Sequence, residues 1–196
     1  MKRRVLVIDD HPLSRTFLVR VLRQKGFEVA GEGTSGKGAL RLAKETAPDV
    51  ILMAVGLADM DGIRAAQAIM EESPLPVILL TSHYDAETIE RAKGAGVMAY
   101  LIKPLREEEL LPTVELAISR FAEFVSLRRE NEDLKKTLEA RKAIERAKGI
   151  LMQRQGLSEA EAFALIQKKS MDTRKSMAEI AQAIVLTEEI TKKKTA

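Results

Sequence analysis

The sequence predicts an α/β protein: a doubly wound sheet of five parallel strands, followed by a long helix and a small unit of three helices. Short apolar runs recur at regular spacing through residues 1–105, and amphipathic stretches of helix length lie between them. No proline follows Pro112, and two further helix start signals lie near the end of the sequence. The first pattern predicts the sheet, and the second predicts an all-helical segment after it.

The five predicted strands are residues 5–8, 27–30, 50–53, 76–80 and 98–102. The first, third and fourth runs show no polar alternation, which is typical of central parallel strands covered by helices on both faces. After the first strand, Leu13, Phe17 and Val21 follow a helical period. Pro12 suits the first turn of that helix, and Asp85 is predicted to cap a later one. Ligands of such a sheet bind beyond the carboxyl ends of its strands.

Composition excludes several classes of function. The 196-residue chain is 45% hydrophobic and 31% charged, a balance typical of globular proteins. It contains no Cys, which excludes disulfides, a thiol nucleophile and cysteine-based zinc sites. No apolar run approaches the ~20 residues that a membrane helix needs, and the run after the basic start is too short for a signal peptide. We therefore expect a cytoplasmic protein with no membrane partner.

Charge is divided unevenly along the chain. Residues 1–120 contain 16 Lys and Arg against 17 Asp and Glu, whereas residues 121–196 contain 16 against 12. The C-terminal segment therefore carries a surplus of four positive charges. This points weakly to an anionic partner, because an ordinary solvated helical surface can carry the same surplus.

Polar side chains follow three of the predicted strands where each strand ends. Asp9 and Asp10 follow the first, Thr81 and Ser82 follow the fourth, and Lys103 follows the fifth. The carboxyl ends of parallel strands meet at one edge of a sheet, so these side chains converge on one pocket. Carboxylates suit Mg²⁺, and a hydroxyl and an ammonium suit phosphate oxygens.

This constellation, together with Leu-Ala-Asp-Met-Asp-Gly at 57–62 and Pro after Lys103, resembles the receiver domain of two-component response regulators, which has a flavodoxin-like fold. The resemblance covers residues 1–125 and makes Tyr100 the aromatic switch residue. In the family, an Asp at the end of the third strand accepts phosphate. Here that position is Ala54, which cannot be phosphorylated.

The resemblance and its exception carry further expectations. We expect Mg²⁺ to bind weakly at best, through Asp9 and Asp10, and no cofactor to be required. Asp59 and Asp61 are expected to serve as loop and helix-cap residues rather than surrogate acceptors. The alanine is either natural or engineered. If natural, this is a pseudo-receiver that is constitutively set or switched by a partner, such as a sensor kinase or a regulatory protein.

The long helix carries an apolar seam with alternating spacings of three and four residues. Its members are Phe124, Leu127, Asn131, Leu134, Leu138 and Arg141. An Asn at an a-type position can fix the register of a two-stranded coiled coil, so we expect a homodimer joined here. The alternative is a long helix that packs on its own domain. The expected segments are a receiver at 1–122, a coiled-coil linker at 123–139 and a three-helix domain at 140–190.

The last two helices have clear start signals, because capping-box sequences run from Ser158 to Glu161 and from Ser176 to Glu179. Phe163 is assigned to the core of this unit. The unit's basic residues are Arg141, Lys142, Lys148, Arg154, Lys168, Lys169, Arg174 and Lys175. From the residues alone, they form either a solvated face or a surface that binds nucleic acid through phosphates.

Residues 140–152 (Ala-Arg-Lys-Ala-Ile-Glu-Arg-Ala-Lys-Gly-Ile-Leu-Met), 156–163, 172–175 and 178–185 resemble the ANTAR domain, the RNA-binding output of AmiR- and NasR-type antitermination regulators. The resemblance implies a dimer that binds paired hairpins in leader transcripts and prevents termination. The protein would then be a ligand and not an enzyme. Two alternatives stay open: a DNA-binding response regulator, and a pseudo-receiver that only binds other proteins.

Overall fold

The computed structural model describes residues 2–82 and 86–194, with side chains described as far as residue 190. The chain divides into two compact units, Met1–Val125 and Ser126–Ala196. The predicted cap at Asp85 lies outside the described residues. Within those residues, no helix is apolar over a length sufficient to cross a membrane.

The first unit is built on a five-stranded parallel sheet, which confirms the predicted fold class. The strand order is β2-β1-β3-β4-β5. The strands are β1 (Arg4–Ile8), β2 (Glu28–Gly33), β3 (Val50–Ala54), β4 (Val77–Thr81) and β5 (Ala99–Ile102). Every residue of β3 and β4 is buried, as the lack of polar alternation in the sequence indicated.

Helices cover both faces of this sheet. They are α1 (Pro12–Gln24), α2 (Gly36–Thr46), α3 (Gly62–Glu72), α4 (Ala86–Gly94) and the first part of α5 (Glu107–Gln155). One core cluster joins the sheet to α2 and α3, and includes Leu6, Met53 and Ile69. The other joins it to α1 and α5, and includes Leu22 and Leu110. The sheet is therefore sealed on both faces and accessible at its ends.

The second strand differs from its prediction. It begins at Glu28 and continues to Gly33, three residues past the predicted end. A Cβ at Gly33 would lie 2.7 Å from Cδ1 of Ile8, and one at Gly31 would lie 3.2 Å from Cδ1 of Leu6. Glycine is used here because β2 passes close to core side chains of β1. The predicted β2 therefore ended too early, because glycines do not belong to an apolar run.

The second unit packs the end of α5 against α6 (Glu159–Thr173) and α7 (Met177–Lys194). Its buried centre consists of Ala147, Leu151, Ala162, Ile166 and Ala181. Both predicted capping boxes are present: Glu161 accepts hydrogen bonds from the backbone and side chain of Ser158, and Glu179 does the same for Ser176. The assignment of Phe163 to the core is wrong, because its side chain is 43% exposed.

Gly62, the last residue of the 57–62 loop, begins α3 against the end of β3. Its N–H donates to Val55 O at 2.8 Å, and a Cβ at this position would overlap the carbonyl oxygen of Ala54. Replacing Gly62 with Ala forces backbone to move, so we expect Gly62→Ala to lower the free energy of unfolding by about 1–3 kcal/mol. Urea denaturation measures this.

Gly94→Ala is the matched control, because an added Cβ at Gly94 meets no atom within 4 Å. Gly94 is also helical, so its replacement should be neutral or slightly stabilising. Equal destabilisation by the two substitutions would contradict the close approach described here.

Candidate functional site

A cleft of about 820 Å³ opens at the carboxyl end of the sheet. Asp9 and Asp10 follow β1, and Lys103 follows β5. β3 ends at Ala54, and β4 ends at Thr81. The register of the ladders aligns these ends, because Ala54 pairs with Leu80 and Thr81 with Ile102. The residues predicted to converge do lie together. The cleft lining includes Asp10, Ala54, Thr81, Ser82 and Lys103.

Asp9 is the most constrained side chain at this edge, since it is completely buried. Its Oδ2 accepts hydrogen bonds from Lys103 Nζ at 2.7 Å and from Ser14 Oγ at 2.6 Å. Its Oδ1 accepts from the backbone N–H of His11 at 3.0 Å. Both oxygens of this buried carboxylate are thus satisfied by donors of the protein itself.

Two opposed effects act on the pKa of Asp9. Burial alone would raise the pKa, but hydrogen bonds from Lys103, Ser14 and the N–H of His11 outweigh it. The pKa of Asp9 therefore lies below its ordinary value of 3.8, and the group is a carboxylate at neutral pH.

Few carboxylate oxygens at this edge are available to Mg²⁺, which is usually held in proteins by one or two carboxylates together with water. Asp9 directs both oxygens to protein donors, and Ala54 presents only a methyl group where the family has a carboxylate. Asp10 is exposed. In the described ranges 2–82 and 86–194, no three His, Asp or Glu side chains are placed to hold a metal ion.

The two loop aspartates cap helices, as predicted. Asp59 accepts hydrogen bonds from the N–H groups of Gly36 and Lys37 at 2.8 and 3.0 Å, and these bonds lower its pKa. Asp61 accepts from Ile63 N–H at 2.8 Å and pairs with Arg91. Both carboxylates are thereby committed to local structure around the 57–62 loop.

Two further residues border this region. His11 caps α1, where its Nδ1 accepts from the N–H of Ser14, and it lines the cleft. Tyr100 lies on β5 with 40% of its surface exposed, in a groove that also contains Lys93 and Leu116. The switch role of Tyr100 stays a prediction.

The seam residues of α5 are exposed. Leu127, Leu134 and Leu138 keep 52–63% of their surface accessible, and Phe124 keeps 40%. From residue 126 to residue 139, every side chain is exposed, so this part of the helix does not pack on its own unit. Four large apolar side chains along one exposed helical stripe are the arrangement expected of an unpaired coiled-coil strand.

The structure corrects the role of Lys148. It lies on the face that carries Ile144, Ala147 and Leu151, which packs against α6, and its side chain is only 10% exposed. Its Nζ contacts Glu145 at 2.9 Å and Glu159 at 2.6 Å, and these bonds raise its pKa. Lys148 therefore joins α5 to α6 and is not part of an exposed basic face.

The other predicted cations divide into two groups. Arg154 forms charge-assisted hydrogen bonds with Glu188 of α7, the shortest at 2.9 and 3.0 Å, so it also joins two helices. The remaining six are exposed: Arg141, Lys142, Lys168, Lys169, Arg174 and Lys175. Within the described residues, only Lys142 of these six makes an ion pair, with Glu139 at 3.1 Å on an exposed surface.

Four of the six cations lie at or just after the end of α6. Lys168 and Lys169 lie in its last two turns, and Arg174 and Lys175 form the turn that follows. Arg174 has a left-handed backbone (φ 55°), its N–H donates to Met171 and Ser170 carbonyls, and Lys175 N–H donates to Ser170 O. These bonds fix the turn and leave its basic side chains in solvent.

Sequence reasoning missed Ser14, Glu159 and Glu188. Ser14 lies one turn into the helix after Asp9, a spacing that points back to the strand end and could have revealed it. Glu188 lies 34 residues from Arg154 on another helix, and the sequence carries no signal for that pair.

The fold and these sites define a response regulator, and comparison with known families agrees. The model of the response regulator receiver domain matches residues 5–115, and that of the ANTAR domain matches residues 132–185. The chain belongs to the response regulators that join a receiver domain to an ANTAR domain. This is a family of regulatory proteins and not of enzymes.

The similarity extends over nearly the whole chain. The transcriptional regulatory protein PdtaR of Mycobacterium tuberculosis is 41% identical over 185 residues, covering 94% of this chain and 90% of PdtaR. Two solved receiver domains resemble the first unit. One belongs to a modulated diguanylate cyclase of Desulfovibrio desulfuricans G20 (TM-score 0.59, 32% identity, 62% of this chain and 98% of that one). The other belongs to the putative response regulator NarL of M. tuberculosis (TM-score 0.56, 33% identity, 62% of this chain and 97% of that one).

Among the described residues, Lys103→Met removes the only cation that contacts the side-chain carboxylate of Asp9. We expect the free energy of unfolding at pH 7 to fall by about 3 kcal/mol, because a buried carboxylate loses its partner. The wild-type stabilisation is present above the ordinary pKa of Asp9 and is lost as pH falls through its lowered native pKa. The difference between the proteins should therefore shrink in strong acid.

Lys37→Met is the matched control, because Lys37 is exposed and contacts Asp59 through its backbone only. Urea unfolding of both variants at several pH values provides the measurement. A loss for Lys103→Met that is no larger than that for Lys37→Met would show that the ion pair contributes nothing.

Proposed function

We propose that this protein is a transcription antiterminator that works as a dimer, binding paired hairpins of leader RNA with its ANTAR domains. The observation that carries the proposal is the ANTAR match at residues 132–185, a segment whose exposed cations include the six named above. The similarity to a transcriptional regulatory protein over 94% of the chain supports it. The protein would act in the cytoplasm, where leader transcripts are made.

Contacts with RNA phosphates supply most of the affinity in this proposal. Lys168 and Lys169 lie near the end of α6, and Arg174 and Lys175 lie on the turn after it, which backbone hydrogen bonds hold; together they concentrate positive charge in this stretch of the chain. Because these hydrogen bonds already fix the backbone of the turn, little backbone entropy is lost there on binding. Exposed Phe163, the one aromatic residue in 126–196, adds a ring on which an unpaired loop base can stack.

Two hairpins require two ANTAR domains, and the exposed seam on α5 offers the means of pairing two chains. A dimer engages the second hairpin at the effective concentration set by the first, which raises affinity without any new contact. Control of antitermination then reduces to control of dimer formation or of access to the ANTAR surface.

The receiver in this proposal is not switched by its own phosphorylation. Ala54 offers no oxygen nucleophile, and Lys103 is held by Asp9 instead of by a phosphoryl group. We propose that Mg²⁺ binds weakly at best through Asp9 and Asp10. The regulatory input is then a partner protein that recognises the receiver, or the receiver is constitutively set.

Lys168→Ala/Lys169→Ala should weaken binding to a tandem-hairpin leader RNA and reduce the dependence of log K on log salt by about 2, since two phosphate contacts are lost. Fluorescence anisotropy across a salt series measures both quantities on the full chain. Lys37→Ala/Arg41→Ala, two exposed residues on α2, removes the same charge from the receiver and should leave the slope unchanged.

Equal slopes for the two double variants would overturn the proposed RNA surface. A duplex DNA of the same length, included as competitor, distinguishes a DNA-binding regulator, for which it would bind more tightly than the hairpins. Lys148 is unsuitable for this test because its replacement breaks the contact between α5 and α6.

Incubation with acetyl phosphate and Mg²⁺ should leave the wild-type protein unmodified, because no carboxylate occupies position 54. Intact-mass spectrometry makes the measurement, and Ala54→Asp is the control variant, which should gain one phosphoryl group. A stoichiometric wild-type adduct that maps to an aspartate such as Asp59 or Asp61 would contradict the proposal.

A further inference from the structure

We propose that a groove formed by α5, α6 and α7 in the second unit binds a free fatty acid, and that the bound carboxylate competes with RNA for Lys169. The groove has a volume of about 440 Å³, within the range of roughly 300–1,000 Å³ that is typical of small-molecule sites. Binding to the groove is independent of the proposed function, and only the competition rests on it.

The walls of the groove are aliphatic, and all three helices contribute to them. Four large side chains line it: Ile150 of α5, Leu165 of α6, and Ile180 and Ile184 of α7. Each of the four is only half-buried, so part of its apolar surface remains in contact with water. A concave surface of this kind gains free energy when an apolar ligand replaces the water.

The helical period brings a polar end to this apolar surface. On α6, Leu165, Lys169 and Thr173 are four residues apart, so they lie on one face, and all three line the groove. The hydroxyl of Thr173 donates to the carbonyl oxygen of Lys169 at 2.7 Å and is therefore committed to its own helix. The ammonium group of Lys169 is the polar group that α6 offers to a ligand here.

The charges around the groove favour an anionic ligand. Arg154 also lines the groove, but Glu188 neutralises it through hydrogen bonds at 2.9 and 3.0 Å. Lys169 is exposed, and it forms no ion pair with any side chain in the part of the second unit that the structure describes. The lining described for the groove thus carries one uncompensated positive charge, which attracts a carboxylate and repels an ammonium group.

The apolar residues of the walls favour a straight aliphatic chain over an aromatic ring. Among the described residues that line the groove, none is aromatic, and every large apolar one is Ile or Leu. A ring would therefore find no stacking partner, whereas a flexible chain can follow the surface and make many dispersion contacts. An aliphatic chain with a carboxylate head is a fatty acid.

Binding of this ligand would connect metabolism to the ANTAR unit directly. Lys169 is one of the exposed cations assigned above to RNA phosphates, and a bound carboxylate would neutralise it. Because coupling between two ligands is reciprocal, RNA would weaken fatty acid binding by the same factor. The second unit would then have a regulatory input of its own, which does not require a phosphoacceptor in the receiver.

Octanoate, 1-octanol and octylammonium share one chain and differ in the charge of the head group, so they are suitable probes. Each is titrated into the full-length protein labelled with ¹³C at the isoleucine δ1 methyl groups. The signals of Ile150, Ile180 and Ile184 should shift, whereas those of Ile63 and Ile69 in the receiver core should not. Octanoate should bind about two- to fivefold more tightly than 1-octanol, and octylammonium should bind most weakly. Hexanoate should bind roughly tenfold more weakly than octanoate, because two fewer methylene groups are buried.

Two pairs of variants assign the head group and the chain. Lys169→Ala should abolish the difference between octanoate and 1-octanol, whereas Lys168→Ala, at an exposed position outside the groove, should preserve it. Ala183→Leu extends a side chain into the groove from an exposed position and should weaken all three probes. Ala164→Leu is its control, since Ala164 is exposed on α6 and does not line the groove.

The competition is measured with the tandem-hairpin RNA. Saturating octanoate should raise the dissociation constant for RNA by the same factor as Lys169→Ala, and it should have no further effect on that variant. An unchanged RNA affinity, with groove methyl signals that respond, would overturn the competition and leave RNA binding intact.

Other outcomes concern the site itself. Equal affinities for octanoate and 1-octanol, or a preference for octanoate that persists in Lys169→Ala, would overturn the assignment of a fatty acid. Groove methyl signals that do not move would overturn the binding site. The methyl titration requires no RNA, so its result is independent of whether the proposed function holds.

Discussion

The ion pair between Lys103 and Asp9 joins the first strand of the sheet to the segment after the last strand. A carboxylate that is fully buried must be neutralised and hydrogen-bonded, and Lys103, Ser14 and the N–H of His11 do this together. The start of α1 and the chain after β5 are therefore fixed by one group. Lys103 also lines the cleft, and its ammonium group is already paired with a carboxylate of the protein.

Much of this fold could be predicted from the sequence, because the governing signals are local. Apolar runs identified the central strands, and capping boxes identified the starts of α6 and α7. The predictions failed where contacts between residues far apart in the sequence determine the structure. β2 continues to Gly33, where the absence of a side chain leaves room for Ile8 of β1. Phe163 is exposed although its helix is amphipathic. A helical period places a residue on a face but does not show how far the neighbouring helix extends.

The candidate sites also divide into features that local sequence signals predict and features that depend on distant residues. The residues of the cleft could be identified because parallel strands end at one edge, a rule of topology that needs no distances. The basic surface could not be resolved, because Lys148 and Arg154 find acidic partners 11 and 34 residues away. A count of positive charges in the sequence therefore does not distinguish the cations that join two helices from the cations that only face solvent. The proposed RNA contacts are assigned to the second group.

The backbone conformation of Arg174 lowers the stability of the fold. Its φ of 55° lies in the left-handed region, where a glycine would relieve steric strain at the end of α6. A search guided by folding stability alone would therefore place glycine at position 174 and remove a cation from the basic turn. Arginine at this position therefore keeps a positive charge in the turn at the expense of backbone strain. Stability-driven engineering of this domain would thus act against its proposed output at this position.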